Sequence, residues 1–364
     1  MIPLSIPHLS GNELKYVSEC IETGWVSSAG KYVAQFEQLV AEWSGCTYGV
    51  ATSNGTLGLH LALHVLGIER GDIVLVPNIT FIASANAVAY TNATPVFIDV
   101  DPETWQMDLD LLEGWLEDNH NASVKAIMPV HVLGNMCDMT RLMDIANRYD
   151  LYVIEDSTEA LGSYYNGKSA GSFGIMNVFS FNGNKIITTG GGGVIVSNHE
   201  EHAKRAKHLS TQSKVNPETY YHDEIGFNYR LVNVLAAIGV AQMEQLPAFI
   251  KKKKAIDAFY REHLSDVGDI RFQKVNPEVD PNCWLFTFSS SKQAELLKAL
   301  KENDVIARPF WYPMKQLPMF SSNQYISVND HSKGVHAHCL SIPSSVSLTE
   351  SDQMKVVEVI KSCF

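Results

Sequence analysis

The sequence predicts an α/β fold with a mostly parallel central sheet flanked by helices, followed by a smaller C-terminal α+β domain. Three observations lead to this prediction. Short apolar runs alternate with longer amphipathic runs between residues 47 and 200, the pattern changes after residue 250, and 45% of the 364 residues are hydrophobic. Alternating strands and helices are typical of parallel sheets, and this apolar content is enough for a sizeable core.

Six short apolar runs have the length of buried strands. They are Ile73–Val76, Pro95–Ile98, Val124–Met128, Leu151–Ile154, Val178–Phe181 and Gly193–Val196. Three segments beside or between them have the apolar spacing of helices, namely Leu57–Leu66, Ile82–Tyr90 and Met139–Tyr149.

The pattern changes in the last third of the chain. Residues 231–264 are predicted to form one or two helices, broken near Pro247 because proline interrupts helical hydrogen bonding. The elements expected after them are a strand at Asn282–Ser289 and helices at Lys292–Asn303 and Ser351–Lys361. We therefore predict a large domain over residues 1–249 and a small domain over residues 250–364, packed together without a flexible linker.

The charge balance narrows the class of protein. Asp and Glu number 40 against 28 Lys and Arg, a net charge of −12 that argues against a nucleic-acid partner. The single basic run, Lys251–Lys254, is expected to be the solvated face of a helix. We find no apolar run of spanning length, no signal-peptide pattern and no paired cysteine spacing, so we expect a cytoplasmic protein with reduced thiols and no membrane partner.

Three polar segments lie where ligands bind in an open α/β sheet, beyond the ends of predicted strands. The first is Thr52–Thr56, directly before a predicted helix. Backbone amides at a helix N-terminus can bind an anion, and Gly55 allows a close approach. The segment could equally be a simple turn and N-cap, and it is not a Walker A loop, because no Gly-Lys-Ser/Thr follows.

The second and third segments carry charge. Glu155 and Asp156 end a predicted strand, where a carboxylate could pair with a cationic ring nitrogen, hold Mg²⁺ or cap the next helix. Lys185 ends the stretch Phe179–Lys185, shortly before the glycines 190–193. A lysine among uncharged residues beside a glycine cluster is a candidate amine nucleophile, although most lysines are merely solvated.

Taken together, these parts match what pyridoxal 5'-phosphate (PLP) requires. Amides would hold the phosphate, a carboxylate would keep the pyridine nitrogen protonated, and a lysine would bond to the aldehyde and move protons. We therefore predict a PLP enzyme without a metal.

The same segments resemble the sugar-nucleotide aminotransferases of the DegT/StrS class. The similarity runs over nearly the whole chain, through Gly24–Ser28, Ser53–Thr56, Pro77–Ala83, Pro95–Asp101, Val130–Gly134, Glu155–Gly162, Phe179–Lys185, Gly226–Arg230 and Ala236–Gln242. Within the class, Gly24–Ser28, Phe179–Lys185 and the segment Arg308–Pro313 are most similar to enzymes that aminate a GDP-linked 4-keto-6-deoxy sugar.

This resemblance implies a type I aminotransferase fold, a homodimer with shared active sites, and L-glutamate and a nucleotide sugar as substrates. For the cofactor it implies that Lys185 forms the aldimine, Asp156 faces the pyridine nitrogen and Phe81 stacks on the ring. It assigns the phosphate to Gly55, Thr56 and Ser180, with Asn228 reaching it from the partner subunit.

For the substrate, the resemblance implies His222 and Arg230 from the partner, and Trp311, Tyr312 and Lys315 from a C-terminal loop. Two residues depart from the family pattern. Lys315 replaces a usual His, and Glu159 stands where many members place Gln or His against the phenolic oxygen of PLP. A carboxylate beside a phenolate must share a proton, which would raise the pKa of Glu159.

Three alternatives remain open from the sequence. Tyr164 and Lys168 have the Y-x-x-x-K spacing of a nicotinamide-dependent short-chain reductase, although they lie in a hairpin-like turn and no G-x-G-x-x-G follows the first strand. His336, His338 and Cys339 could begin a metal-hydrolase site, but an edge strand with ordinary histidines is the expected structure. A binding protein on the same fold would lack the lysine, and Lys185 is present.

Overall fold

A parallel five-stranded sheet lies at the centre of the computed structural model, which describes residues 1–216 and 218–364. The helices of the described residues are α1 (Glu13–Glu22), α2 (Lys31–Trp43), α3 (Gly55–Val65), α4 (Ala83–Tyr90), α5 (Leu109–Asn119), α6 (Met139–Arg148), α7 (Glu200–Ser210), α8 (Asn233–Leu264), α9 (Gln293–Glu302), α10 (His331–His338) and α11 (Glu350–Lys361). The strands are β1 (Tyr48–Thr52), β2 (Ile73–Pro77), β3 (Thr94–Ile98), β4 (Val124–Ile127), β5 (Tyr152–Val153), β6 (Tyr164–Tyr165), β7 (Lys168–Ser169), β8 (Asn177–Ser180), β9 (Gly193–Ser197), β10 (Arg271–Phe272), β11 (Val279–Asp280), β12 (Thr287–Ser289), β13 (Arg308–Pro309), β14 (Tyr325–Ile326) and β15 (Cys339–Ser341).

The central sheet continues into a second sheet at Asp156. The five parallel strands are ordered β14-β3-β2-β4-β5, and the second sheet is antiparallel with the order β1-β9-β8. Isolated parallel bridges join Asp156 to Val130 on one side and to Val178 of β8 on the other. The sheet is therefore mostly parallel, as predicted, and a carboxylate stands where its two parts meet.

Helix α3 is packed tightly against this second sheet. Its N-cap Asn54 accepts a hydrogen bond from the Leu57 amide at 2.9 Å, which satisfies a free donor of the first turn. A Cβ on Gly58 would come within 2.8 Å of Val178 on β8, so only glycine allows this approach. The close contact fixes the N-terminus of α3 beside the end of β8.

The predicted break at Pro247 is wrong. Helix α8 runs unbroken from Asn233 to Leu264 with Pro247 inside it. Proline removes one helical hydrogen bond, but Leu246 and Phe249 on either side are buried in the core, and their packing keeps the helix continuous. Because α8 passes through the proposed domain boundary at residue 249, the division into residues 1–249 and 250–364 stays a prediction.

A four-stranded antiparallel sheet, β10-β12-β15-β13, forms the C-terminal part with helices α9 and α11. The strand predicted at Asn282–Ser289 covers only Thr287–Ser289, because Cys283 has a φ of 55° and Asn282 uses its side chain to bond other segments. The two predicted C-terminal helices are present. Two elements of this region return to the large part of the molecule, since β14 pairs with β3 and β11 pairs with β6.

Two expectations concern the whole chain. Among the described residues, no helix is both long enough and apolar enough to cross a bilayer. All six cysteines are free thiols in this structure.

Candidate active site

A cavity of about 240 Å³ brings most of the predicted cofactor residues together. It lies at the end of β8 and the beginning of α3. The residues lining it that the sequence had singled out are Gly55, Thr56, Phe81, Glu159, Ser180, Lys185 and Trp311. Residues from segments far apart in the chain therefore meet at one place.

Lys185 is the amine of this cavity. It follows β8 in the turn that begins at Asn182, and its own amide donates to the Asn182 carbonyl at 3.0 Å. Its side chain is 12% exposed, and Nζ lies 3.5 Å from Oε1 of Glu159. A partly buried amine that faces a cavity next to a carboxyl group can act both as a nucleophile and as a proton carrier.

Glu159 is a buried carboxyl group whose two oxygens contact two different residues. Oε2 accepts a hydrogen bond from the Leu133 amide at 2.9 Å, and Oε1 faces Lys185. Burial raises the pKa of Glu159 to about 7, although the charge of Lys185 and the Leu133 amide lower it. This side chain can therefore hold a proton near neutral pH.

Asp156 is buried at the junction of the two sheets, and both its oxygens are occupied. Oδ2 accepts from the Ser84 hydroxyl at 2.6 Å, and Oδ1 accepts from the Thr158 amide at 3.2 Å. The Ser84 hydroxyl also lies 2.8 Å from that of Thr80. These contacts fix the carboxylate in one orientation, next to the Thr158 that lines the cavity.

The preceding residue, Glu155, has a structural role. Its carboxylate accepts hydrogen bonds from the amides of Gly171, Phe173 and Gly174 at 2.6–2.8 Å and contacts His131 Nε2 at 2.8 Å. It therefore stabilises the loop before β8 and does not line the cavity.

The N-terminus of α3 opens onto the cavity at Gly55 and Thr56. A Cβ placed on Gly55 would lie 3.0 Å from Ser180 Cβ and 3.1 Å from Thr158. The space beside this residue is therefore open because glycine has no side chain. Helix N-termini attract anions through free amides and the helix dipole. Phe81 is 56% exposed, with its ring 6.5 Å from that of Trp311, so a flat face is available at the cavity.

The structure leaves two predicted cofactor residues, Asp156 and Asn228, and the predicted substrate residues other than Trp311 outside the cavity lining. Asn228 and His222 are exposed, and His222 Nδ1 contacts the Gln212 carbonyl at 2.6 Å. Arg230 has a buried Nε without a hydrogen-bond partner among the described residues. Tyr312 stacks near His336, with ring centroids 4.2 Å apart.

Lys315 has partners within its own loop. Its Nζ donates to the carbonyls of Ser321 at 2.8 Å and Asn323 at 2.6 Å. Its backbone amide donates to Asn78 Oδ1 at 2.9 Å. In this chain the Lys315 ammonium therefore closes the loop, and its role toward a substrate stays a prediction.

Sequence reasoning missed two residues that contact the site. Ser84 lies one residue beyond the recognised segment Pro77–Ala83, and a hydroxyl four positions after that of Thr80 was the available signal. Trp284 lines the cavity with its ring centroid 4.1 Å from Lys185 Nζ. No local pattern marks it, because it arrives from a segment 99 positions later in the chain.

The alternatives that the sequence left open receive no support from the geometry. Tyr164 and Lys168 lie in the antiparallel hairpin β6–β7, as expected, and not on a helix. His336 and His338 lie on α10, and Cys339 begins β15, an interior strand, so the expected edge strand is wrong. In the described part of the chain, the one group of three or more side chains close enough to share a metal is His208, Asp223 and Glu224, where Arg205 already binds Glu224.

These residues fit PLP. The N-terminus of α3 suits its phosphate, the fixed buried carboxylate suits a protonated ring nitrogen, Phe81 offers a face for the ring, and Lys185 supplies the amine. The fold and the site together define a PLP-dependent aminotransferase.

Comparison with known proteins identifies the family. The model of the DegT/DnrJ/EryC1/StrS aminotransferase family matches residues 7–361, and the chain belongs to this family of PLP-dependent sugar aminotransferases. It is 39% identical over 366 residues to a GDP-perosamine synthase of Escherichia coli O157:H7, covering 100% of this chain and 98% of the relative. It is 37% identical to a GDP-perosamine synthase of Vibrio cholerae, covering 100% and 99%.

A solved structure confirms the predicted fold class. A DegT DnrJ EryC1 StrS aminotransferase from Brucella abortus superposes with a TM-score of 0.91 at 26% identity, covering 97% of this chain and 95% of that chain. The expected family, fold, enzyme class and cofactor are therefore confirmed.

Proposed function

We propose that the enzyme transfers the amino group of L-glutamate to C4 of a nucleotide-linked 4-keto-6-deoxyhexose, converting GDP-4-keto-6-deoxymannose to GDP-perosamine. The observation that carries the chemistry is the cavity in which Lys185 faces Glu159 beside the N-terminus of α3. The choice of sugar is supported by two GDP-perosamine synthases that align with the whole chain.

Residues that line the cavity or lie beside it have distinct tasks in this proposal. When bound, PLP supplies an electron sink for the carbon that loses or gains a proton. Lys185 would hold the cofactor through its amine, and its Nζ would accept and return a proton. Asp156 keeps the ring nitrogen protonated, and Ser84 keeps Asp156 in place. Phe81 would offer an aromatic face to the ring.

Glu159 is proposed to keep a proton at the phenolic oxygen of the cofactor. The Leu133 amide holds one carboxyl oxygen, which leaves the other for Lys185 and the cofactor. Because its pKa lies near 7, Glu159 can remain protonated beside an anionic oxygen and donate a hydrogen bond to it.

A homodimer with shared active sites is proposed to complete the site. Asn228, His222 and Arg230 lie in a segment that exposes large apolar side chains, with Tyr220 93% exposed and Ile225 88% exposed. Exposed apolar side chains grouped in one segment mark a protein interface. The buried Nε of Arg230 has no partner among the residues that the structure describes, and it would donate to a substrate that the neighbouring subunit holds.

The nucleotide would bind at the loop that carries Trp311, Tyr312 and Lys315, of which Trp311 lines the cavity. Trp311 lines the cavity and Tyr312 is exposed, so aromatic faces are available to a base or sugar. UDP- and dTDP-linked 4-keto sugars are the alternative substrates.

The test compares purified enzyme with GDP-, UDP- and dTDP-linked 4-keto-6-deoxy sugars at saturating glutamate. We expect kcat/KM to favour the GDP sugar by tenfold or more, about 1.4 kcal/mol of transition-state binding. A preference for UDP or dTDP would reject the GDP assignment and leave the aminotransferase intact. Absence of amination with any 4-keto sugar would reject the proposed substrate class.

A further inference from the structure

The indole of Trp284 lies against the amine of Lys185. Nζ is 4.1 Å from the ring centroid, and Trp284 is 3% exposed, so this contact is shielded from water. A positively charged nitrogen is attracted to the face of an indole, and the attraction is stronger in a desolvated place. Glu159 and Trp284 therefore contact the same amine.

The same indole also holds the backbone that carries the lysine. Its Nε1–H donates to the carbonyl of Asn184 at 2.7 Å, and Asn184 directly precedes Lys185. The Ser5 hydroxyl donates to this carbonyl at 3.1 Å. Trp284 thus contacts both the side-chain nitrogen of Lys185 and the backbone turn that carries Lys185.

The backbone of Trp284 is fixed by Lys253 of α8. The Lys253 ammonium donates to the carbonyls of Trp284, at 2.8 Å, and of Ser344. Lys253 is 2% exposed, and among the described residues no carboxylate forms an ion pair with it. Burial lowers the pKa of Lys253 to about 7. A buried lysine is costly, so its two carbonyl contacts indicate a specific role.

A second anchor comes from Asn282. Its side-chain amide donates to the carbonyls of Glu159 at 2.8 Å and Leu161 at 2.9 Å, while its Oδ1 accepts from the Trp284 amide at 3.0 Å. The segment that presents Trp284 is therefore tied to the segment that presents Glu159. Both neighbours of the Lys185 amine are held in one rigid unit.

We propose that Trp284 is a positioning residue for Lys185 and that Lys253 holds Trp284 in place. The proposal rests on the proposed role of Lys185 as the cofactor lysine. A lysine side chain is flexible, and confining it before reaction removes an entropic cost that would otherwise arise when its nitrogen bonds to the aldehyde carbon of PLP and water leaves. The ring attracts the nitrogen whenever it carries positive charge.

The experiment compares the binding of PLP with that of pyridoxamine phosphate, which occupies the same site without bonding to Lys185. The variants are Trp284→Leu, which removes the ring, and Trp284→Phe, which keeps a weaker aromatic face. For Trp284→Leu we expect the Kd of PLP to rise tenfold or more and the Kd of pyridoxamine phosphate to stay within twofold. The single-turnover rate with glutamate should fall tenfold, with an unchanged half-saturating concentration of glutamate. Trp284→Phe should be intermediate.

Lys253→Met tests the anchor. It should raise the Kd of PLP three- to tenfold and leave the Kd of pyridoxamine phosphate within twofold. The matched control Lys251→Met, on the exposed face of α8, should leave the affinities for PLP and pyridoxamine phosphate unchanged. Thermal unfolding of the cofactor-free variants checks the fold, and Trp284→Phe decides if Trp284→Leu does not fold.

Two results would overturn the proposal. Equal losses of affinity for PLP and pyridoxamine phosphate would mean that Trp284 only shapes the cavity, and unchanged affinities and rates would mean that the contact with Lys185 has no effect. Failure of the proposed function has a different signature. If borohydride still fixes the cofactor to Lys185→Ala protein, the lysine assignment itself is wrong.

Discussion

The hydroxyl of Ser84 donates a hydrogen bond of 2.6 Å to Oδ2 of Asp156, linking the second residue of α4 to the carboxylate at the junction of the two sheets. Ser84 is completely buried, and Thr80 supports it at 2.8 Å. This hydrogen bond sets the direction in which the carboxylate can face a ring nitrogen. The proposed partner of the cofactor ring is therefore oriented by a residue that does not itself line the cavity.

We expect Ser84→Ala to weaken cofactor binding without unfolding the protein. Without this hydrogen bond Asp156 is no longer held in one orientation before the cofactor binds, so the Kd of PLP should rise tenfold, about 1.4 kcal/mol of binding free energy. Asp156→Asn keeps the shape but removes the charge, and its glutamate half-reaction should slow more strongly than that of Ser84→Ala. Absorbance titration and single-turnover kinetics measure both effects, and equal or smaller effects in Asp156→Asn would contradict the assigned role.

Lys185→Ala should bind PLP loosely and show no turnover. Wild-type protein should have a visible absorption band that borohydride reduction removes, whereas the variant should lack the covalent attachment. Positioned proton transfer contributes about 10²–10⁴-fold to rates, so the loss should appear mainly in kcat. The exposed Lys251→Ala serves as the control. Turnover at the wild-type rate in Lys185→Ala would refute the assignment.

Gly55→Ala should weaken phosphate binding while leaving the fold intact. The added Cβ would lie 3.0–3.3 Å from Ser180 and 3.1 Å from Thr158, in the space above the first turn of α3. We expect the affinities for PLP and for inorganic phosphate to fall together. Gly114→Ala is the matched control, because it lies inside helix α5 and an added Cβ would meet no other segment of the described residues within 4 Å. It should gain up to about 1 kcal/mol of stability and bind PLP normally.

Much of this site could be predicted from the sequence, for a physical reason. Lys185, Asp156 and Gly55 each follow a strand or begin a helix. Residues in such positions lie together at one edge of a sheet, and no detail of side-chain packing is needed to predict this. Ser84 and Trp284 could not be found in this way, because their role depends on which side chains touch across the fold. The break at Pro247 failed because tertiary packing outweighed a local preference.

Glu159 should give the cofactor-free protein a characteristic dependence on pH. Its pKa is raised from 4.5 to about 7 by burial, so the folded state binds more protons than the unfolded state between these values. The contribution of Glu159 to stability should therefore fall as pH rises from about 4.5 to 7, by roughly 3 kcal/mol at most. Buried His60, whose pKa burial lowers to about 4, contributes with the opposite sign, so the difference between wild type and Glu159→Gln isolates Glu159. Glu159→Gln should remove this fall. Urea unfolding at several pH values measures it, and parallel curves for the two proteins would show that Glu159 does not titrate in this range.

Subunit complementation tests whether two chains build each active site. Lys185→Ala and Arg230→Ala should each be inactive, the first through loss of the amine and the second through loss of the donor whose buried Nε has no partner among this chain's described residues. If Arg230 serves the neighbouring site, a mixed dimer contains one site with both residues intact and one with neither. Random exchange of equal amounts makes half of the dimers mixed, so activity should recover to about one quarter of the wild-type value. Mass spectrometry of differently tagged subunits confirms the exchange. Mixed dimers that remain inactive would show that Lys185 and Arg230 act within the same chain.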